Sequence, residues 1–154
     1  MEQEYHLHDE EEARLFGARF GLCLRPGMTV LLSGPVGAGK SHLARAAIRA
    51  MAGAEIDVPS PTFTLVQTYE TEVAEVWHAD LYRLSDASEI EELGLSAAIG
   101  HDILLIEWPD RLGPYTPEDA IRVTLSYQGE GRLLHLTAPA EFITCLAQPS
   151  EGVR

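Results

Sequence analysis

"GPVGAGKS", Gly34 to Ser41, fits the pattern G-x-x-x-x-G-K-[ST]. A loop of this kind holds the phosphates of a nucleotide. Its glycines let backbone N–H groups converge on the anion, and the helix that follows presents its positive end. The flanks supply the rest of the requirement. "MTVLLS", Met28 to Ser33, is a short apolar run entered by the turn pair Pro26-Gly27, and it reads as a buried strand. "SHLARAAIRAM", Ser41 to Met51, is rich in helix formers and carries Leu43, Ala47 and Ile48 on one stripe. Strand, glycine loop and helix in that order predict a phosphate loop, or Walker A motif. Gly34, Gly37, Ala38 and Gly39 are its expected backbone contacts, with His42 just beyond. Lys40 is expected to reach the β- and γ-phosphates, and the Ser41 hydroxyl to ligate Mg²⁺.

The 154 residues suit one domain, 1–154, with a core from about residue 7 to residue 146 and a short flexible C-terminal tail. Hydrophobic residues make up 45%, ordinary for a globular chain. No apolar run approaches the roughly 20 residues needed to cross a bilayer. The start, "MEQEYHLHDEEEAR", lacks the basic and apolar regions of a signal peptide. Cys23 and Cys145 are the only cysteines. Without a secretory signal they read as reduced, buried and structural, and the compartment as cytoplasmic.

The formal net charge is −13. Such a chain repels DNA, RNA and anionic lipid, so none of the three is an expected direct partner. Ten of its eleven Lys and Arg residues are Arg, and the single Lys is Lys40. A general bias toward Arg accounts for the ten. Lys persists inside the loop because a compact ammonium must fit between phosphate oxygens.

Further elements follow from pattern. Asp9 can cap a helix with Glu12 three residues on, its apolar side supplied by Leu15, Phe16, Phe20 and Cys23. Phe63 to Tyr69 and Val76 to Leu81 read as strands, and their short connection forces antiparallel pairing. "SDASEIEELGL" predicts a short helix capped by Ser85 or Asp86 and ended near Gly94. "DILLIEWP" is a buried central strand, "DRLGPYTPED" a loop, and Ile121 to Leu136 a hairpin turning at "YQGEGR". A helix from Ala140 to Leu146 closes the chain. The sum is a single α/β domain with a mixed parallel and antiparallel sheet flanked by helices.

Partners for the loop belong at the ends of neighbouring strands. Thr62, in "SPTF", lies where switch-type hydrolases sense the γ-phosphate, although a plain turn is the alternative. Asp80 ends the strand "VWHAD", a common place for a carboxylate that holds Mg²⁺ or its water, and a surface aspartate is the bland reading. His78 beside it reads as a partner or core residue. Glu107 directly follows "ILLI", and a buried charge there needs a compensating cation. Trp108 suits either a lid on the nucleotide or core packing. Tyr5, His6, His8 and the acids after them read as a solvated tail rather than a metal site. No guanine-reading N-K-x-D stretch exists, so ATP is the default nucleotide.

"GPVGAGKS", "SPTFTLVQTYE", "HADLYRL…EIEELGL" and "LLIEWPDRL", in this order, closely resemble the TsaE family, once called YjeE. The resemblance runs from about Leu7 to Leu136. It implies a small P-loop ATPase needed to make threonylcarbamoyladenosine in tRNA, with ATP and Mg²⁺ as ligands and ADP as product. By the same resemblance Ser41, in place of the more usual Thr, and Glu107 ligate Mg²⁺. Asp80 supports the metal or the attacking water, Thr62 senses the γ-phosphate, and Trp108 lies by the nucleotide. Arg132 reaches the ATP, and Glu10 lies close to it. Lys40, Asp80, Glu107 and Thr62 form the expected catalytic set. The implied partners are TsaD and TsaB, with tRNA met only through their complex, whose turnover the ATPase couples to hydrolysis. A small-molecule kinase and a non-hydrolysing nucleotide switch are the rival readings. Arg111 alone could arm a kinase lid.

Overall fold

The computed structural model describes residues 1–148. The expected C-terminal tail falls on residues 149–154, outside the described residues. Seven strands form one sheet: β1 (Glu2–Leu7), β2 (Thr29–Ser33), β3 (Val66–Glu70), β4 (Glu75–Asp80), β5 (Ile103–Glu107), β6 (Ile121–Gln128) and β7 (Gly131–Thr137). Their order is β1-β7-β6-β2-β5-β4-β3. The four inner strands β4, β5, β2 and β6 run parallel, and antiparallel strands finish both sides. The mixed sheet expected from sequence is therefore present, with the loop-bearing strand β2 at its centre.

Parallel strands are covered on both faces, and alternate residues divide between two cores. Ile103 and Leu105 join Val30, Leu32 and Val123 under helices α1 (Glu10–Cys23), α2 (Lys40–Ala52) and α5 (Ala140–Ala147). Leu104 and Ile106 join Leu31 and Ala79 under the short helices α3 (Glu89–Glu92) and α4 (Leu95–Ala98). The expected short helix over "SDASEIEELGL" is α3, which ends just before the left-handed Gly94, with α4 following; its N-cap is Ser88 and not Ser85 or Asp86. The expected loop after β5 holds a 3₁₀ segment, Pro109–Tyr115, whose Leu112 is wholly buried.

Helix α1 is capped as expected, with Asp9 Oδ1 accepting from the Glu12 amide at 2.8 Å. It lies very close to α2. A Cβ on Gly17 would come within 2.8 Å of the Ala46 Cβ, and one on Gly21 would overlap the Ala47 backbone. Small residues on both helices therefore set the crossing, and the helix carrying the phosphate loop is seated against α1.

Two expectations are corrected. Residues 2–7, with Tyr5 and His6 among them, are a strand and not part of a solvated tail. Each of them pairs with β7, from Glu2 with Thr137 to Leu7 with Arg132. Only Leu7 in this strand is fully buried, so alternation could not announce an edge strand held chiefly by backbone bonds. The cysteines are also not reduced thiols. Cys23 and Cys145 form a disulfide across 122 residues, with Cα atoms 6.0 Å apart. The end of α1 meets α5 there, and no spacing rule reveals such a meeting. Smaller shifts concern strand ends. β3 begins at Val66 rather than Phe63, since Leu65 has a φ of 68° that breaks extended backbone, and β4 stops at Asp80.

Reducing the disulfide should lower the thermal midpoint. Closure of a loop of about 100 residues is worth up to ~4.7 kcal/mol in the chain-entropy account, and measured bridges give about 2–4. Melting with and without dithiothreitol, beside a Cys23→Ser, Cys145→Ser variant, checks this. Gly21→Ala should also destabilise. The helix gains up to about 1 kcal/mol from Ala, but overpacking against a backbone that cannot rotate away costs about 1–3. A midpoint several degrees lower is expected, and an unchanged midpoint would show that the two helices can part freely.

Candidate nucleotide site

All four parallel strands present their C-terminal ends at one edge of the sheet. The loop after β2, Asp80 at the end of β4 and Glu107 at the end of β5 therefore come together. β4 and β5 are in a register that sets Asp80 directly beside Glu107. Both lie on the face covered by α2. A cavity of about 440 Å³ opens there, lined by Gly37, Lys40, Ser41, Thr62, Asp80 and Trp108 among others. Val36, Gly39, His42, Tyr82 and Glu107 complete its wall. The residues expected for metal and γ-phosphate thus share one cavity.

Within it the polar groups engage one another. Ser41 Oγ lies 2.9 Å from each Glu107 carboxylate oxygen, and His78 Nε2 lies 2.7 Å from Oε2. Thr62 Oγ1 donates to Asp80 Oδ2 at 3.2 Å, and the Tyr82 amide donates to Oδ1 at 3.0 Å. Ser60 Oγ is 2.9 Å from Thr62 Oγ1, which fixes that hydroxyl from the other side. Asp80 and Glu107 are 5% and 3% exposed, so the bland reading of a surface aspartate does not hold.

Lys40 is buried as well. Its Nζ donates to the carbonyls of Gly34 at 2.5 Å and Pro35 at 3.0 Å, and sits 4.2 Å from the centre of the Trp108 ring. Burial pushes its pKa below the ordinary lysine value, while the nearby Glu107 and Asp80 carboxylates push it back up. An arriving phosphate supplies more negative charge and favours the ammonium further. Trp108 has a φ of 56°, and Leu65 is the only other non-glycine with positive φ among the described residues. Both border the segments that carry site residues, where backbone strain tends to collect. The Trp108 ring also packs on Tyr82, centroid to centroid 4.9 Å.

The loop is held from outside by the β6–β7 hairpin. Arg132 Nε donates to the Ala38 carbonyl at 3.1 Å and Nη2 to the Gly37 carbonyl at 3.3 Å. Tyr127 donates its hydroxyl to the Val36 carbonyl at 2.7 Å and carries the Arg132 guanidinium on its ring at 4.6 Å. These bonds brace the loop from outside, while inside it the Ala38 amide donates to the Pro35 carbonyl at 3.1 Å. Gly34 passes so near β6 that a Cβ there would lie 2.5 Å from the Leu125 carbonyl oxygen. Arg132 and Glu10 line a second cleft of about 300 Å³ behind the loop, together with Gly37, Ala38, Gly39 and His42. His42 Nε2 lies 3.4 Å from the Glu10 carbonyl. Tyr127 was not singled out in sequence, because an aromatic next to a hairpin turn carries no spacing signal.

Among the described residues no three His, Cys, Asp or Glu side chains gather into a metal-holding group. The donors beside Ser41 are hard oxygens, and few. That fits Mg²⁺, which uses one or two carboxylates and completes its shell from phosphate and water.

The family described as "Threonylcarbamoyl adenosine biosynthesis protein TsaE" matches residues 7–134. Proteins named "tRNA threonylcarbamoyladenosine biosynthesis protein TsaE" are similar over most of their length. One from Rickettsia bellii is 39% identical over 85% of this chain and 92% of its own. One from Haemophilus influenzae is 34% identical over 86% and 87%, and one from Bacillus subtilis 29% over 78% and 75%. The crystal structure of Bacillus subtilis YdiB superposes with a TM-score of 0.75 at 19% identity, covering 94% of this chain and 91% of that one.

If Lys40 turns from the indole toward a phosphate, nucleotide with Mg²⁺ should change the emission of Trp108. Trp77, bound through Nε1 to Asp102 Oδ2 at 3.1 Å, is the background and is removed as Trp77→Phe. An unchanged spectrum at saturating nucleotide would place Trp108 in plain packing.

Proposed function

The chain belongs to the TsaE family, and on that premise we propose that it is the ATP-hydrolysing component of tRNA threonylcarbamoyladenosine biosynthesis. One observation carries the reading. The lone lysine of the chain, a loop serine, two buried carboxylates and a threonine hydroxyl converge on one cavity at the sheet edge. That is the set that phosphoryl transfer to water requires.

Lys40 leaves the carbonyls of Gly34 and Pro35 and meets the β- and γ-phosphates. The loop amides hold the remaining phosphate oxygens, that of Ala38 after exchanging the Pro35 carbonyl for phosphate, while Arg132 and Tyr127 brace the loop. Ser41 and Glu107 would hold Mg²⁺, with Asp80 alongside, and the ion would supply charge neutralisation at the phosphates. Asp80 is anchored by Thr62 and the Tyr82 amide, and so has one orientation toward the cavity. Its carboxylate orients the attacking water. Thr62 sits in a segment without regular structure, and its hydroxyl reports the γ-phosphate to that segment. Trp108 covers the phosphate end, while Arg132 and Glu10 border the cleft behind the loop. ADP and phosphate are the products.

The family supports a wider role in that biosynthesis. On the reading proposed here, TsaD and TsaB are the partners, and hydrolysis resets their complex. At a net charge of −13 the chain leaves tRNA to them. On the same reading the compartment is the cytoplasm. The Cys23–Cys145 bridge removes the thiol argument for it, and the family reading takes its place.

Lys40→Ala should abolish tight ATP binding with the melt preserved. Glu107→Ala and Asp80→Ala should each slow single-turnover phosphate release by ~10²-fold or more, with a smaller effect on nucleotide affinity. TsaD and TsaB should raise the wild-type rate. No phosphate release with or without them would leave a binding switch, and phosphate delivered to a small-molecule acceptor would reveal a kinase.

A further inference from the structure

The two oxygens of the Glu107 carboxylate keep unequal company. Ser41 Oγ is 2.9 Å from both, and its single proton can serve only one of them fully. His78 Nε2 touches Oε2 alone, at 2.7 Å. His78 is 1% exposed, and its Nδ1 is buried with no partner. A bare lone pair at Nδ1 costs less than a stranded N–H would, so the fitting tautomer carries its proton on Nε2 and donates it to Glu107. Packing alone does not ask for this side chain. The same face of β4 carries Val76, an aliphatic residue that fills its site with no polar atom to satisfy. The imidazole is buried with one nitrogen unmet, and the bond to Glu107 is the only hydrogen bond its ring makes among the described residues.

We propose that His78 is a positioning residue that fixes Glu107 for its divalent cation. By occupying Oε2 from the floor of the cavity it stops the carboxylate from turning. Oε1 is then presented beside the Ser41 hydroxyl. Histidine works here through the carboxylate, as groups behind a metal ligand commonly do, and touches neither ion nor nucleotide. The inference rests on the reading that Glu107 and Ser41 hold Mg²⁺.

The test compares His78→Leu, His78→Gln and His78→Asn by titrating ADP with and without Mg²⁺. Gln can place an N–H near the position of Nε2, Asn only near that of Nδ1, and Leu has none. In EDTA all three should bind ADP like the wild type, because the loop and Lys40 carry that affinity. The Mg²⁺ concentration giving half the metal-dependent tightening should rise about 10–100-fold in His78→Leu and His78→Asn, the usual effect of losing such a group. His78→Gln should recover most of the loss. Should His78→Leu not fold, the contrast between Gln and Asn carries the result. Equal Mg²⁺ dependence in all variants overturns the proposal, as does equal loss in Gln and Asn with lowered melts. Glu107→Ala separates the two levels: if it leaves Mg²⁺ dependence untouched, the metal reading itself falls.

Discussion

A carboxylate placed out of reach of water must find partners, and the partners of Glu107 tie the site together. Ser41 comes from the first turn of α2, His78 from β4, and Glu107 itself from β5. Three elements distant in sequence are thereby joined at one point. Desolvating an ion costs several kcal/mol unless hydrogen bonds and opposite charge offset it. The hydroxyl and the imidazole offset part, and the buried Lys40 ammonium adds Coulomb attraction. On the proposed reading, a cation beside Ser41 would complete the compensation.

The geometry rests on the sheet. Parallel pairing of β4, β5, β2 and β6 brings their C-terminal ends to one edge, and the register of β4 on β5 sets two carboxylates side by side. Tight seating of α2 on α1 then leaves the phosphate loop little freedom to tilt. The β6–β7 hairpin finishes the work from the other flank, holding three successive loop carbonyls. A loop braced on both flanks is ordered before any ligand arrives, and order of that kind lowers the cost of binding.

What could be read from the residues was whatever has a local signature. The strand, loop and helix around Lys40 do, and so do the charged ends of β4 and β5, because a carboxylate after an apolar run is anomalous by itself. The β3–β4 and β6–β7 hairpins were legible from alternation and short connections. The strand over residues 2–7 was not, since an edge strand with one buried side chain has no hydrophobic period. The Cys23–Cys145 bridge was not, since its partners meet only once α1 and α5 have packed. The contacts of Tyr127 and the full burial of His78 depend likewise on neighbours 91 and 29 positions away.

The strand over residues 2–7 has a bearing on solubility. A sheet is most vulnerable at its rims, where unpaired amides and carbonyls can recruit another chain. Here β1 covers one rim of β7, and its own outer residues are short in number and acidic, with Glu2 and Glu4 exposed. The opposite rim is β3, five residues ending in Glu70. Like charges at both rims disfavour edge-to-edge joining of two copies, and the overall acidity of the chain reinforces this at every approach. A cleavage that removed the first eight residues would leave the phosphate loop intact in sequence, yet bare the rim of β7, itself one arm of the hairpin that holds that loop. Loss of colloidal stability and loosening of the nucleotide cradle would then arrive together.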